Sequence, residues 1–170
     1  MEREVYKGQI IRITEEEISG VVWERAYLPD GVIVFPITDE GKIILVNERR
    51  PHEDPPQRIK PVSGILEHHT GTPAENAQRE MQEEIGLKAQ TLENFMTLRG
   101  SGTINHTQHF FLARGLSKEK LPNPDGEDTI IGTIELTPGE LREKLLNDKI
   151  KWSVSTLGMF RLLEKLNALG

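Results

Sequence analysis

SGILEHHTGTPAENAQREMQEEIGL, running from Ser63 to Leu87, joins a glycine-opened loop to a short helix crowded with carboxylates. Thr72 is a good N-cap residue, Pro73 suits the first helical position, and Glu75 stands three residues after the cap. Together they form a capping box with proline at its first turn. The spacing predicts a helix from Pro73 to about Ile85, stopped by Gly86. Within it, Glu80, Glu83 and Glu84 are three and four residues apart, so their carboxylates share one face. Crowded carboxylates repel one another, and a divalent cation relieves that repulsion; hard oxygen ligands select Mg²⁺ or Mn²⁺. Arg79, four residues before Glu83, can orient one carboxylate through an ion pair. A charge-rich helix is often only a solvated face. The glycine loop ahead, the capped start and the glycine stop set this one apart.

The whole chain bounds what this helix can serve. Its 170 residues suffice for one domain with a sizeable core. The net charge of −6 argues against a nucleic-acid or anionic-membrane binder. An anionic substrate must then be received through metal ions and local arginines. Cysteine is absent, which excludes disulfides, thiolate metal sites and a cysteine nucleophile and is compatible with the cytoplasm. The first residues, MEREVYKGQ, hold no apolar stretch of a secretory signal, and no apolar run approaches a membrane span.

Upstream of the helix, Val5–Ile13 and Val21–Tyr27 read as strands joined at Ser19-Gly20. GVIVFPIT is apolar throughout, as a strand buried on both faces should be. Asp39-Glu40-Gly41 turns it toward KIILVNERR, and the two read as a hairpin. Pro51–Lys60, polar and proline-rich, reads as a loop. Arg49 and Arg50 end the strand just before it, well placed for a phosphate clamp because guanidinium pairs bidentately with phosphate oxygens. Trp23 offers a face on which a nucleobase could stack. Adjacent His68 and His69 point apart and lack a third ligand at diagnostic spacing, so they read as loop polar residues.

Downstream, Leu87–Leu98 and Thr107–Ala113 read as strands. Leu116–Asp128 reads as a long loop, a length more typical of a lid than of filler. A strand over Thr129–Leu136 follows. Thr137-Pro138-Gly139-Glu140 repeats the capping box and opens a helix to about Asn147. A last helix over Ser155–Ala168 offers Leu157, Phe160, Leu163 and Leu166 as its buried stripe. Strands, a helix, strands and then helices describe an α+β fold, an α/β/α sandwich around a mixed sheet.

The opening stretch resembles the Nudix box, which reads glycine, five residues, glutamate, seven residues, then Arg-Glu-apolar-x-Glu-Glu-x-Gly-apolar. Gly64 opens the match, and Arg79, Glu80, Met81, Glu83, Glu84, Gly86 and Leu87 complete it. The first half departs from the pattern. One extra residue lies between Gly64 and Arg79, and Thr70 or Gly71 stands where the box has its first glutamate. That glutamate mostly braces the loop in the family, so the departure bears on loop geometry more than on metal binding.

Outside the box, VIVFPITDEGKIILVNERRP, QHFFLARGL and GEDTIIGTIELTPGELREKLLNDKI resemble the ADP-ribose and nucleoside-diphosphate-sugar pyrophosphatase branch. The resemblance implies the Nudix fold over residues 31–170, with the box at 64–87. It also implies an N-terminal antiparallel sheet extension over residues 1–30, through which a homodimer forms and helps to line its partner's site. It makes Glu80, Glu83, Glu84 and the Ser63 carbonyl the metal ligands, with Arg79 beside them in the catalytic set. Arg50, with Arg49, meets the substrate's phosphates. Glu127, in the lid, is the closest match to a family glutamate that serves as general base. The branch's serine-proline-glycine loop is here Gly100-Ser101-Gly102, with Asn105 or His106 where an acidic residue would close it.

The implied activity is Mg²⁺-dependent hydrolysis of a nucleoside diphosphate linked to a second moiety, giving a nucleoside monophosphate and a phosphorylated product. Two alternatives use the same residues: a hydrolase that sanitises nucleoside triphosphates, and a Nudix-fold binding module with little turnover.

Overall fold

The structure, a computed structural model, describes residues 1–66, 71–100, 102–122, 129–150 and 153–168. The elements run β1 (Arg3–Lys7), β2 (Arg12–Ile18), β3 (Val21–Tyr27), β4 (Gly31–Pro36), β5 (Ile43–Arg49), β6 (Gln57–Lys60), β7 (Val62–Ile65) and α1 (Pro73–Glu84). They continue with β8 (Leu87–Arg99), β9 (Ile104–Asn105), β10 (Thr107–Lys118), β11 (Ile130–Leu136), α2 (Pro138–Leu146) and α3 (Ser153–Lys165).

β4 explains the layering. Its alternate side chains point to opposite sides of the sheet. Ile33 and Phe35 enter a core shared with α2 and α3, where Leu141, Leu145, Met159, Leu162 and Leu163 are buried. Val32 and Val34 enter a second core against Ala77 and Met81 of α1. β10 repeats the pattern, with Phe110 and Leu112 on the first side and Phe111 and Ala113 on the second. Helices thus cover both faces of a mixed sheet ordered β7-β4-β10-β8, in which β4 and β10 run parallel. This is the α/β/α arrangement predicted from the order of elements.

A second sheet, β11-β5-β6, is antiparallel. The N-terminal strands form a third with β9, ordered β1-β2-β3-β9. Beyond the described residues lie several sequence candidates: Glu127, His68, His69, Ser101 and the lid around 123–128.

Several expectations need correction. β4 and β5 do not form a hairpin. Both edges of β4 are taken, by β7 and β10, and the two segments are linked at the turn by an isolated Ile37–Ile43 bridge and a hydrogen bond from the Thr38 amide to the Lys42 carbonyl. β5 therefore crosses into the other sheet. The tract read as a loop over Pro51–Lys60 ends in β6, whose Arg58 stands directly opposite Glu48 of β5. Its charges alternate at strand period and are paired across the ladder, which is why the stretch looked like loop. The first expected strand is two, β1 and β2, reversed around Gly8, whose amide donates to the Ile11 carbonyl at 2.8 Å. Residues Leu116–Lys118, expected in the lid loop, prolong β10.

The last helix also differs. Leu157 is 42% exposed. A spacing of three lags the helical turn by about 60° at each step, so Leu157 rotates out of the stripe. Met159, Leu162, Leu163 and Leu166 follow the true helical period and pack inward. Both capping boxes form as expected, around Thr72 and Thr137. Gly86 adopts φ +68°, the left-handed conformation expected of a glycine helix stop.

Candidate active site

Ala77 and Met81 fix α1 against the sheet, and this sets where its carboxylates fall. Glu80 lies directly over Gly64 in β7. A Cβ at Gly64 would stand 2.0 Å from the Glu80 carboxyl carbon, so only glycine leaves room for this carboxylate. Burial, and then the charges of Glu84 and Glu83, raise the pKa of Glu80 to about 7; Arg79 and Lys60 offset part of that rise.

Glu84 is anchored differently. Its Oε1 accepts from the Lys60 ammonium at 2.8 Å, and its Oε2 accepts from the Ser63 amide at 3.3 Å. Burial raises its pKa, although Lys60 and the Ser63 amide pull the other way. Arg79 donates to Asn76 Oδ1 at 2.6 Å and places its Nε 3.9 Å from Glu83 Oε1.

Two residues not singled out from sequence complete the cluster. Glu48, 3% exposed, receives Arg58 at 2.5 Å, Arg50 at 3.0 Å and Lys60 at 3.7 Å. Burial acts to raise its pKa, but Lys60, Arg50 and Arg58 outweigh it and hold the carboxyl below its ordinary range. Lys60, 5% exposed, links Glu48 to Glu84. The available signal was the alternation of Glu48 with Arg50 and of Arg58 with Lys60, a period-two pattern that predicts facing charges on paired strands.

A cleft of about 380 Å³ opens onto this cluster, lined by Glu48, Arg50, Lys60 and Glu84 together with His106 and Gln108. Gly64 and Ser63 also border it. His106 Nδ1 is buried without a hydrogen-bond partner. Arg49 and Trp23 do not line this cleft. Arg49 is exposed, and its amide donates to Thr129. Trp23 is 55% exposed on the N-terminal sheet.

Among the described residues, no three His, Asp or Glu side chains stand together as a ready metal-holding group. The donor chemistry nevertheless suits a hard divalent cation. Three carboxylates share one helix face, and mutual repulsion with burial leaves Glu80 poorly compensated.

This electrostatics has a measurable consequence. The raised pKa means that folded protein binds the Glu80 proton more tightly than unfolded protein does. That stabilisation is fully present below the unfolded value and is lost as pH rises through about 7. We expect the Tm of metal-free protein to fall between about pH 5 and about pH 7.5, and Glu80→Gln or saturating Mg²⁺ to flatten that fall. A flat profile in chelator would contradict the buried, crowded state of Glu80. Glu48 acts oppositely: its contribution is lost only as pH falls through its lowered pKa, below this window.

The NUDIX domain family profile matches residues 27–154, three quarters of the chain. The chain belongs to the Nudix family. It is 31% identical over 141 residues to ADP-ribose pyrophosphatase of Bacillus subtilis (strain 168), covering 79% of this chain and 75% of that protein. It is 29% identical over 156 residues to methanol dehydrogenase activator of Bacillus methanolicus, covering 85% of this chain and 83% of that one. Its fold matches a crystal structure of an ADP compounds hydrolase with a TM-score of 0.82, over 100% of this chain and 94% of that chain. At 20% identity, that match is a likeness of fold. The protein is thus a Nudix hydrolase, an enzyme acting on phosphorus anhydrides, and falls with the ADP-ribose pyrophosphatase branch. Nudix hydrolases generally use a divalent metal. Among the described residues, no helix is long and apolar enough to cross a membrane.

Proposed function

We propose that this Nudix hydrolase cleaves the pyrophosphate of ADP-ribose or a related nucleoside diphosphate sugar, using Mg²⁺, with Mn²⁺ as a substitute. The observation that carries the reading is the convergence of Glu84 from α1, Arg50 from the end of β5 and Lys60 from β6 on one cleft. The 31% identity to an ADP-ribose pyrophosphatase supports this substrate class.

Glu80, Glu83, Glu84 and the Ser63 carbonyl would hold the divalent ions. When bound, these ions offset phosphate charge and acidify the attacking water. Arg50 directs a guanidinium toward non-bridging phosphate oxygens, and its contact with buried Glu48 keeps it facing the cleft. Arg49 supplies further positive charge at the same strand end. Arg79 braces Glu83 and the helix start at Asn76. Glu127 is the candidate base that aligns water. The products are a nucleoside monophosphate and a phosphorylated sugar.

We also propose that residues 1–30 form a dimerisation extension to the hydrolase domain of residues 31–170. Val5, Tyr6, Val21, Val22 and Trp23 are exposed large apolar side chains on that sheet, as an interface requires. In such a homodimer Trp23 would reach the partner's substrate rather than its own. The lack of cysteine supports a cytoplasmic setting.

The test is a phosphate-release panel in Mg²⁺: ADP-ribose, GDP-mannose, UDP-glucose, a diadenosine polyphosphate and nucleoside triphosphates, each with a coupled phosphatase. Turnover is expected for one or more of the diphosphate-linked compounds. Preferential turnover of triphosphates would move the enzyme to the sanitising class.

A further inference from the structure

The ammonium of Lys60 is surrounded by oxygens from three places. Glu84 Oε1 lies at 2.8 Å, Ser63 Oγ at 3.0 Å and Glu48 Oε1 at 3.7 Å. The Lys60 side chain is only 7% exposed, yet it lines the cleft. Two carboxylates and a hydroxyl around one buried cation are hard oxygen donors of the kind a divalent ion takes. Without a cation there, Glu48 and Glu84 would face each other as buried like charges. Arg50 and Arg58 also serve Glu48, and Lys60 reaches both carboxylates.

We propose that Lys60 fills, with its own ammonium, a cation position between Glu48 and Glu84 that would otherwise take a divalent ion. This rests on the reading that the α1 carboxylates hold such ions. The bound ions are then one fewer than the same oxygen donors could accommodate. A tethered ammonium does not exchange with solution and has no vacant orbital with which to polarise phosphate or water. Its work is to neutralise Glu48 and Glu84 and to aim Glu84. Lys60 is therefore a positioning residue that acts through Glu84.

The test counts Mn²⁺ bound to the full chain without substrate, from the electron paramagnetic resonance of free Mn²⁺ during titration. Lys60→Gln removes the charge and is expected to bind one more Mn²⁺ per chain than wild type. Lys60→Arg is expected to keep the wild-type count, and Lys60→Gln with Glu48→Gln to lose the added ion. A Lys60→Gln protein that folds only with Mn²⁺ supports the assignment equally. One that stays unfolded with Mn²⁺ overturns it, since the divalent ion then cannot take the ammonium's place. An equal count and affinity in wild type and Lys60→Gln also overturns it. If wild type turns over its substrate in Mg²⁺ in that case, only the Lys60 assignment fails. Wild type that neither binds Mn²⁺ nor hydrolyses any anhydride removes the reading of the site as well.

Discussion

Glu84→Gln is expected to lower kcat at least ~100-fold, taking metal-assisted catalysis to supply several kcal/mol of barrier reduction. Glu84 is the one α1 carboxylate that both lines the cleft and is gripped from two sides, by Lys60 and the Ser63 amide. An amide at this place keeps one oxygen for Lys60 but turns an NH₂ group toward the Ser63 N–H, donor against donor. It also removes the negative charge on which the proposed cation binding depends. The fold should survive. Burial already disfavours the charged form of Glu84, and Lys60 retains Glu48 as a partner. Steady-state kinetics at saturating substrate across a Mg²⁺ titration, with circular dichroism to check folding, measures the effect. An unchanged rate in folded protein would take Glu84 out of the metal set.

Gly64→Ala is expected to cost about 10- to 100-fold in kcat/KM, because small displacements of positioned groups carry losses of that order. The added Cβ would stand 2.0 Å from the Glu80 carboxyl carbon and 2.1 and 2.4 Å from its oxygens. One of them must move, and the end of the Glu80 side chain is the freer. Gly64 lies in β7 without a positive φ, so the backbone itself accepts alanine. The loss should therefore appear in activity and metal affinity, with little change in Tm. A variant with a clear fall in Tm and normal turnover when folded would show that Gly64 serves packing instead.

The legible parts of the chain are those where local chemistry decides the structure. Thr72, Pro73, Glu75 and Gly86 define α1 within a residue, and Thr137 with Glu140 does the same for α2, because capping is satisfied by neighbours in sequence. The continuous apolar run of β4 likewise announced burial on both faces. What it could not announce was its partners. Adjacency in sequence suggested β5, whereas β7 and β10 occupy the edges. β6 was hidden because its charges looked like solvation, and they are in fact neutralised across the ladder by Glu48.

The site divides in the same way. Glu80, Glu83, Glu84 and Arg79 are close because they share a helix, and Arg50, at the end of β5, lines the same cleft as Glu84. Lys60 and Glu48 belong to the cluster only through a pairing absent from the local pattern. Trp23 and Arg49 fall outside the cleft of their own chain. Of the altered first half of the box, Gly64 to Gly71, residues 67–70 lie outside the described residues. The carboxylates of its second half lie over Gly64, through Glu80, and against Lys60, through Glu84.

On the reading proposed above, the α1 carboxylates hold a divalent ion and Arg50 holds the phosphates while a pyrophosphate bond is hydrolysed. Phosphorus-31 magnetic resonance of ADP-ribose incubated with purified protein tests this reading most directly, in Mg²⁺ and in excess chelator. The expected result is loss of the diphosphate signals and growth of two phosphomonoester signals, from AMP and ribose 5-phosphate, in Mg²⁺ only. ADP-ribose that binds tightly but stays intact in Mg²⁺, or is cleaved equally well in chelator, would contradict the account.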